Sequence, residues 1–254
     1  MDTITVGEAR LHVEQKGAGR PVVVIHGGGG AATVAPLAEH LASRARVHVP
    51  TLPGWDGAER PQSVVRVEDI SDLFFEWLEQ ERLDDVVIVG SSIGGWIAGE
   101  LAVRDRDVGR IAKAVLLDTV GFEVPGQHIR DFFALDARGV AEYSWYDSER
   151  FYVDPATLPA ERTAAMASNL ATMKTVAGDP YMINPALLAN VASVTIPVLV
   201  AWGEADRIVT PAYGRAVAEA FPAGRFELIR EAGHLPQLEQ PERVHALVDA
   251  FLAE

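Results

Sequence analysis

Short runs dominated by Val, Ile and Leu recur along much of the chain, and amphipathic stretches separate them. The runs are Pro21–Ile25, Val47–Val49, Asp85–Val89, Ala114–Leu117, Val198–Trp202 and Phe226–Ile229. Near-continuous apolar runs of this length suit strands buried on both faces, as in a parallel sheet. Between them, Val67–Arg82 carries Ile70, Leu73, Phe74, Trp77 and Leu78. That i, i+3, i+4, i+7, i+8 spacing places all five on one helix face. Leu37–Ala45 and Val244–Leu252 show similar periodicity, and Thr210-Pro211 reads as a helix N-cap followed by proline at the first helical position. Alternating strands and helices predict an open α/β sheet covered by helices on both faces.

The alternation breaks between about residues 122 and 194. No good buried strand is expected there. Phe132, Phe133, Tyr143, Trp145, Tyr146, Phe151 and Tyr152 are followed by Met166, Leu170 and Met173, and five prolines punctuate the region. The pattern predicts a helical insertion between two sheet strands. The core domain would then comprise residues 1–121 and 195–254.

The chain has 254 residues, which is ordinary for one α/β domain, and 48% hydrophobic residues are enough for a substantial core. Lys and Arg number 22 against 36 Asp and Glu, a net charge of −14. Phosphate backbones and anionic lipid would repel such a surface, so neither nucleic acid nor a membrane is an expected partner. The absence of cysteine excludes disulfides, thiolate catalysis and cysteine metal sites. The N-terminus has no basic n-region or apolar h-region, and the longest apolar runs are too short to span a bilayer. A cytoplasmic protein is expected.

Gly90-Ser91-Ser92-Ile93-Gly94 follows the third expected strand and opens an apolar helix containing Trp96, Ile97 and Leu101. This is the strand–turn–helix context in which the middle serine of G-x-S-x-G sits on a sharp turn with its Oγ exposed. Ser92 is therefore the candidate nucleophile, and the spacing of Ser91 to the glycines is wrong for that role. The Ile93 N–H then points to where an oxyanion would form. His26-Gly27-Gly28-Gly29-Gly30 follows the first expected strand, where backbone N–H groups can face a ligand. It lacks the lysine and hydroxyl of a phosphate loop. Gly28 is the second oxyanion donor, with Gly29 as the register alternative, and His26 reads as a loop-structuring residue. Asp206 and His234 each lie on a loop after an expected strand, where a surface acid and a structural histidine are the ordinary readings. Their chain order, Ser92 then Asp206 then His234, belongs to one class of hydrolytic triad.

Together with Leu52-Pro53-Gly54, Gly203-Glu204-Ala205-Asp206, Gly233-His234 and Glu239-Gln240-Pro241-Glu242, these pieces resemble the α/β-hydrolase fold over nearly the whole chain. The resemblance implies a serine hydrolase. Ser92 would attack an acyl carbon, His234 would relay the proton, Asp206 would fix the histidine, and Gly28 and Ile93 would hold the oxyanion. It implies no metal or organic cofactor, and a small apolar ester, thioester or related acyl substrate. The insertion at residues 122–194 becomes a helical cap, whose aromatics either line an acyl pocket or form the cap's own core. Trp55, Trp96 and Leu235 are further pocket candidates by proximity in sequence. Asp118, which ends the fourth expected strand, competes with Asp206 for the role of acid.

The departures narrow the reaction. Serine at the elbow disfavours epoxide hydrolase and haloalkane dehalogenase chemistry, which use aspartate there. Hydrolases of ring-cleavage C–C bonds usually carry tryptophan after the histidine, and here that residue is Leu235. Thr51 replaces the usual acid before Leu52-Pro53-Gly54. A C–C hydrolase or lyase on the same triad and a non-catalytic ligand receptor of this fold stand as the alternatives.

Overall fold

The structure is a computed structural model that describes residues 2–254. The strands are β1 Asp2–Val6, β2 Ala9–Lys16, β3 Pro21–Ile25, β4 Arg46–Pro50, β5 Val86–Ser91, β6 Ile111–Leu117, β7 Gly121–Phe122, β8 Ile183–Asn184, β9 Val198–Gly203 and β10 Gly224–Ile229. Among the described residues, an eight-stranded sheet runs in the order β1-β2-β4-β3-β5-β6-β9-β10. From β4 to β10 every pairing is parallel. All six expected strands are present: Pro21–Ile25 as expected, the third beginning at Val86 because Asp85 turns to φ 56°, and the other ends unchanged or extended by one to three residues.

The hairpin β1–β2 was outside the expected set. It joins the sheet antiparallel through β4. Its residues alternate, with Ala9, Leu11 and Val13 buried and the residues between them more exposed. A strand solvated on one face has the weaker period-2 pattern, which a search for continuous apolar runs passes over.

The helices are α1 Ala35–Ala42, α2 Val67–Gln80, α3 Ile93–Asp105, α4 Ala137–Ser144, α5 Ser148–Phe151, α6 Ala160–Ala177, α7 Leu187–Asn190, α8 Pro211–Ala220, α9 Pro236–Glu239 and α10 Pro241–Ala253. Successive strand side chains point to opposite faces. Val23, Ile25, Ile88, Leu116 and Val200 pack on one face against Ile70, Phe74, Ile97 and Val217 of α2, α3 and α8. Val22, Val24, Val87, Val89, Leu117 and Leu199 pack on the other against Leu37, Leu41, Val244, Val248 and Phe251 of α1 and α10. No helix among the described residues is long and apolar enough to cross a membrane.

Three local expectations need correction. Helix α1 starts and stops earlier than residues 37–45, with Pro36 in its first turn. Thr210 is the N-cap residue of α8, but its hydroxyl donates to Gln127 Oε1 at 3.0 Å and makes no cap bond. The stretch 122–194 is helical, yet β7 and β8 close it with a short parallel pair. Tyr213 of α8 anchors β7: its hydroxyl donates to Phe122 O at 2.8 Å and accepts from Phe122 N–H at 2.7 Å. Asp136 and Asp147 cap the short helices α4 and α5 by accepting from Gly139 and Arg150 N–H.

Candidate active site

The sheet order reverses between β3 and β5, since the chain leaves β3 for β4 on one side and later returns to β5 on the other. In open α/β sheets the crevice at the carboxyl ends of strands flanking such a point is where ligands bind. His26, Ser92, Asp118, Asp206 and His234 all follow sheet strands at that edge.

Ser92 links β5 to α3 with φ 56° and ψ −117°, a conformation L residues rarely adopt. The turn is tight enough to require its glycines. A Cβ on Gly90 would lie 2.1 Å from Gly94 O, and one on Gly94 would lie 2.2 Å from Ile25 O. The turn is held by Ser92 N–H donating to Leu117 O at 2.9 Å, and by Ser92 O accepting from Gly95 and Trp96 N–H. Ser91, by contrast, is buried, and its hydroxyl meets Gln237 Nε2 at 3.1 Å.

His234 Nε2 lies 3.0 Å from Ser92 Oγ, and its Nδ1 lies 2.7 Å from Asp206 Oδ2. Asp206 is buried, and its Oδ1 accepts from Ile208 N–H at 2.8 Å and Val209 N–H at 3.0 Å. With Oδ1 engaged by two donors, Oδ2 is directed at the imidazole. The histidine loop is tied down in turn. His234 N–H donates to Ser144 O at 2.6 Å, and Gly233 N–H donates to Glu239 Oε2 at 2.6 Å. Three side chains separated by 114 and 28 residues in sequence thus form one hydrogen-bonded chain.

The glycine run crosses directly over the serine. A Cβ on Gly27 would sit 2.9 Å from Ser92 Cβ, so a side chain is excluded there. Neither the Gly28 nor the Ile93 N–H donates to an acceptor among the described residues. Met173 of α6 leans over this loop, its Sδ within 2.7 Å of where a Cβ of Gly28 would lie. His26 is wholly buried, with Nε2 accepting from Leu52 N–H at 3.0 Å and Nδ1 donating to Gly27 O at 2.7 Å. Burial pushes its pKa down, so the neutral ring braces the two loops.

The structure places Trp55 and Trp96 inside the core. The Trp55 indole N–H donates to Gly28 O at 3.1 Å, and the Trp96 ring packs beneath Gly121 with its N–H on Glu100 Oε1 at 3.3 Å. Leu235 is half-buried beside His234, and Gly29 is exposed. Sequence reasoning missed the roles of Met173, Tyr213 and Glu239. Glu239 accepts from Gly233, Tyr146 and Asp147 N–H, and so links the histidine loop to the segment after α4. Burial raises its pKa first of all, against the pull of these three donors. The motif containing Glu239 was legible, but Tyr146 and Asp147 lie 93 and 92 residues away.

Asp118 is also at the site. It is wholly buried at φ 43°, its Oδ1 accepts from Gly203 N–H at 2.9 Å, and its Oδ2 has no partner. Asp118, Asp206 and His234 each offer an atom within 4.8 Å of the others. Such a set could attract a cation, but Asp206 and His234 already direct their facing atoms at one another. Burial, then the neighbouring Asp206, holds the Asp118 carboxyl well above the usual carboxylate range.

Comparison with known proteins gives the family and the fold. A profile of the alpha/beta hydrolase family matches residues 22–247. The 2-hydroxymuconate semialdehyde hydrolase of Pseudomonas sp. (strain CF600) is 26% identical, over 96% of this chain and 91% of its own length. The pimeloyl-[acyl-carrier protein] methyl ester esterase of Aeromonas hydrophila is also 26% identical, over 95% of this chain and 99% of its own length. A solved thermophilic esterase from Thermogutta terrifontis superposes with a TM-score of 0.77 at 25% identity, covering 100% of this chain and 98% of that one.

Proposed function

Because the chain belongs to the alpha/beta hydrolase family, we propose that it is a serine hydrolase that cleaves a small carboxylic ester through an acyl-enzyme. The observation that carries this reading is the chain Ser92 Oγ, His234, Asp206, with contacts of 3.0 and 2.7 Å. His234 Nε2 takes the hydroxyl proton as Oγ adds to the carbonyl carbon. The carbonyl oxygen becomes an oxyanion held by the N–H groups of Gly28 and Ile93, which have no acceptor among the described residues. Each such donor lowers the barrier by about 3–4 kcal/mol. His234 then delivers the proton to the leaving alkoxide as the C–O bond breaks. Water adds to the acyl-enzyme with His234 again as base, and collapse frees the acid and restores Ser92. Asp206 keeps the imidazole in the tautomer with its proton on Nδ1 and stabilises the imidazolium.

Residues 122–194 act as a cap in this reading. Met173 brings α6 over the glycine loop, and His234 N–H and Glu239 join the segment around Ser144 to the histidine loop. The cap would admit a small apolar acyl group. The esterase relative from Aeromonas hydrophila supports the ester assignment. A second reading, hydrolysis of a C–C bond by the same residues, is favoured by the semialdehyde hydrolase relative.

The test is hydrolysis of a p-nitrophenyl ester series from acetate to octanoate. Ser92→Ala should lower kcat/KM at least about 10³-fold and leave the thermal midpoint unchanged, since it removes one half-exposed oxygen. Equal turnover by both proteins would overturn the assignment. Absence of turnover by the wild type would favour the C–C reading.

A further inference from the structure

Two carboxyl groups meet at the buried end of the site, and one of their oxygens has no hydrogen-bond partner. Asp118 Oδ2 is buried with no partner, while Oδ1 accepts from Gly203 N–H. The Asp206 carboxyl is its neighbour, with an oxygen of each within 4.8 Å of the other. Two carboxylates this close and this dry repel each other strongly, and each would also lack its hydration. One proton between them removes the charge conflict and satisfies the orphan oxygen. The inventory at Asp206 leaves room for it. Its Oδ1 takes two backbone N–H groups and its Oδ2 takes the imidazole, and a carboxylate accepts about four hydrogen bonds.

We propose that Asp118 stands in the folded protein as a neutral carboxylic acid whose Oδ2–H is donated to the Asp206 carboxylate, making it a positioning residue for the His234–Asp206 pair. The titratable groups facing it are Asp206 on the loop after β9, His234 on the loop after β10 and, further out, Glu239 of α9. Burial is the largest cause favouring its neutral form, and the charge of Asp206 adds to it. A fourth donor on Asp206 fixes the plane of the carboxylate and spreads its charge. The proton of the pair then stays on the imidazole Nδ1. Sequence placed Asp118 as a rival acid; this geometry makes it the partner of the acid.

The protonation state can be tested without turnover. In the unfolded chain Asp118 ionises above pH about 3.9, whereas in the folded protein it keeps its proton. The folded state therefore binds more protons, and wild-type stability falls relative to Asp118→Asn as pH rises above that value. Asparagine keeps an acceptor for Gly203 N–H and a donor for Asp206 but cannot ionise. From pH 5 to 8 the midpoint of Asp118→Asn minus that of the wild type should climb by about 3–5 °C per pH unit. A difference independent of pH would overturn the proposal.

The positioning role rests on the serine-hydrolase reading and is tested by kinetics. Asp118→Ala should lower kcat about tenfold at little change in KM, and Asp118→Asn should restore most of it. The acid limb of the pH–rate profile should hold its place in Asp118→Asn. Had Asp118 been ionised, losing a charge within 4.8 Å would move that limb down by about two pH units. Such a shift, or no rescue by asparagine, would overturn the role. An inactive wild type would instead remove the hydrolase reading, and the melting series would still decide the proton. If Asp118→Ala does not fold, the asparagine variant carries both tests.

Discussion

Replacing Asp206 by asparagine should disable the site through a tautomer, and the structure dictates which way the new amide turns. Oδ1 of Asp206 accepts from both Ile208 and Val209 N–H, at 2.8 and 3.0 Å. The amide oxygen of the introduced asparagine must take that position, because the two backbone N–H groups are fixed donors, whereas the groups facing the other side can turn acceptor, the imidazole by changing tautomer and Asp118 by releasing its proton. The NH₂ group then faces His234 Nδ1 at the 2.7 Å separation now spanned by a carboxylate oxygen. To accept from it, Nδ1 must give up its hydrogen, and the ring proton moves to Nε2. Nε2 lies 3.0 Å from Ser92 Oγ and would donate there instead of accepting. The base is lost while the fold persists. Loss of the correct tautomer costs about 10⁴ in turnover, which corresponds to about 5 kcal/mol of transition-state stabilisation. The assay is kcat/KM on the best p-nitrophenyl ester, with thermal midpoints confirming that the variant is folded. A loss smaller than about 30-fold would refute the tautomer argument, because 30-fold is only about 2 kcal/mol. Asp118→Asn, measured alongside, should lose far less, and the reverse order would make Asp118 the acid.

Two further outcomes concern how the site is held. Tyr213→Phe strips the partner from both Phe122 N–H and Phe122 O at a buried strand. It should cost about 2–4 kcal/mol and lower the thermal midpoint by roughly 5–15 °C. A drop below about 2 °C in calorimetry would show that β7 has other support. Glu239→Gln replaces one acceptor oxygen by a donor facing backbone N–H groups at Gly233, Tyr146 or Asp147. Hydrogen exchange should then speed up at residues 146–147 and at Gly233, with stability lower by about 1–3 kcal/mol. Unchanged protection at those amides would show that the link does not hold the histidine loop.

Much of the site was legible in sequence because its parts are local. Gly90, Ser92 and Gly94 announce a turn whose glycines admit no Cβ, and that requirement lies within one short stretch of chain. The glycine run after β3 and the acid and histidine after β9 and β10 are likewise marked by the strands before them. The six parallel strands declared themselves because burial on two faces demands continuous apolar runs. The hairpin β1–β2 did not, since a strand with one wet face needs only alternate apolar positions and takes its register from β4.

What sequence order determined, then, was the set of chemical groups and the elements that carry them. Which groups meet was decided by the tertiary structure. As sequence, Asp206 is the favoured acid because Gly203-Glu204-Ala205-Asp206 matches the family's motif, yet Asp118 follows a β-strand at the same edge and competes with it. The choice follows from two backbone N–H groups that turn Asp206 toward His234, and from burial that leaves Asp118 Oδ2 with a carboxyl for its neighbour. Met173 over Gly28, Tyr213 on Phe122 and Glu239 on Tyr146 are contacts between residues far apart in sequence. No local pattern encodes such pairs, because they arise only when two packed layers bring separate loops to one edge of the sheet.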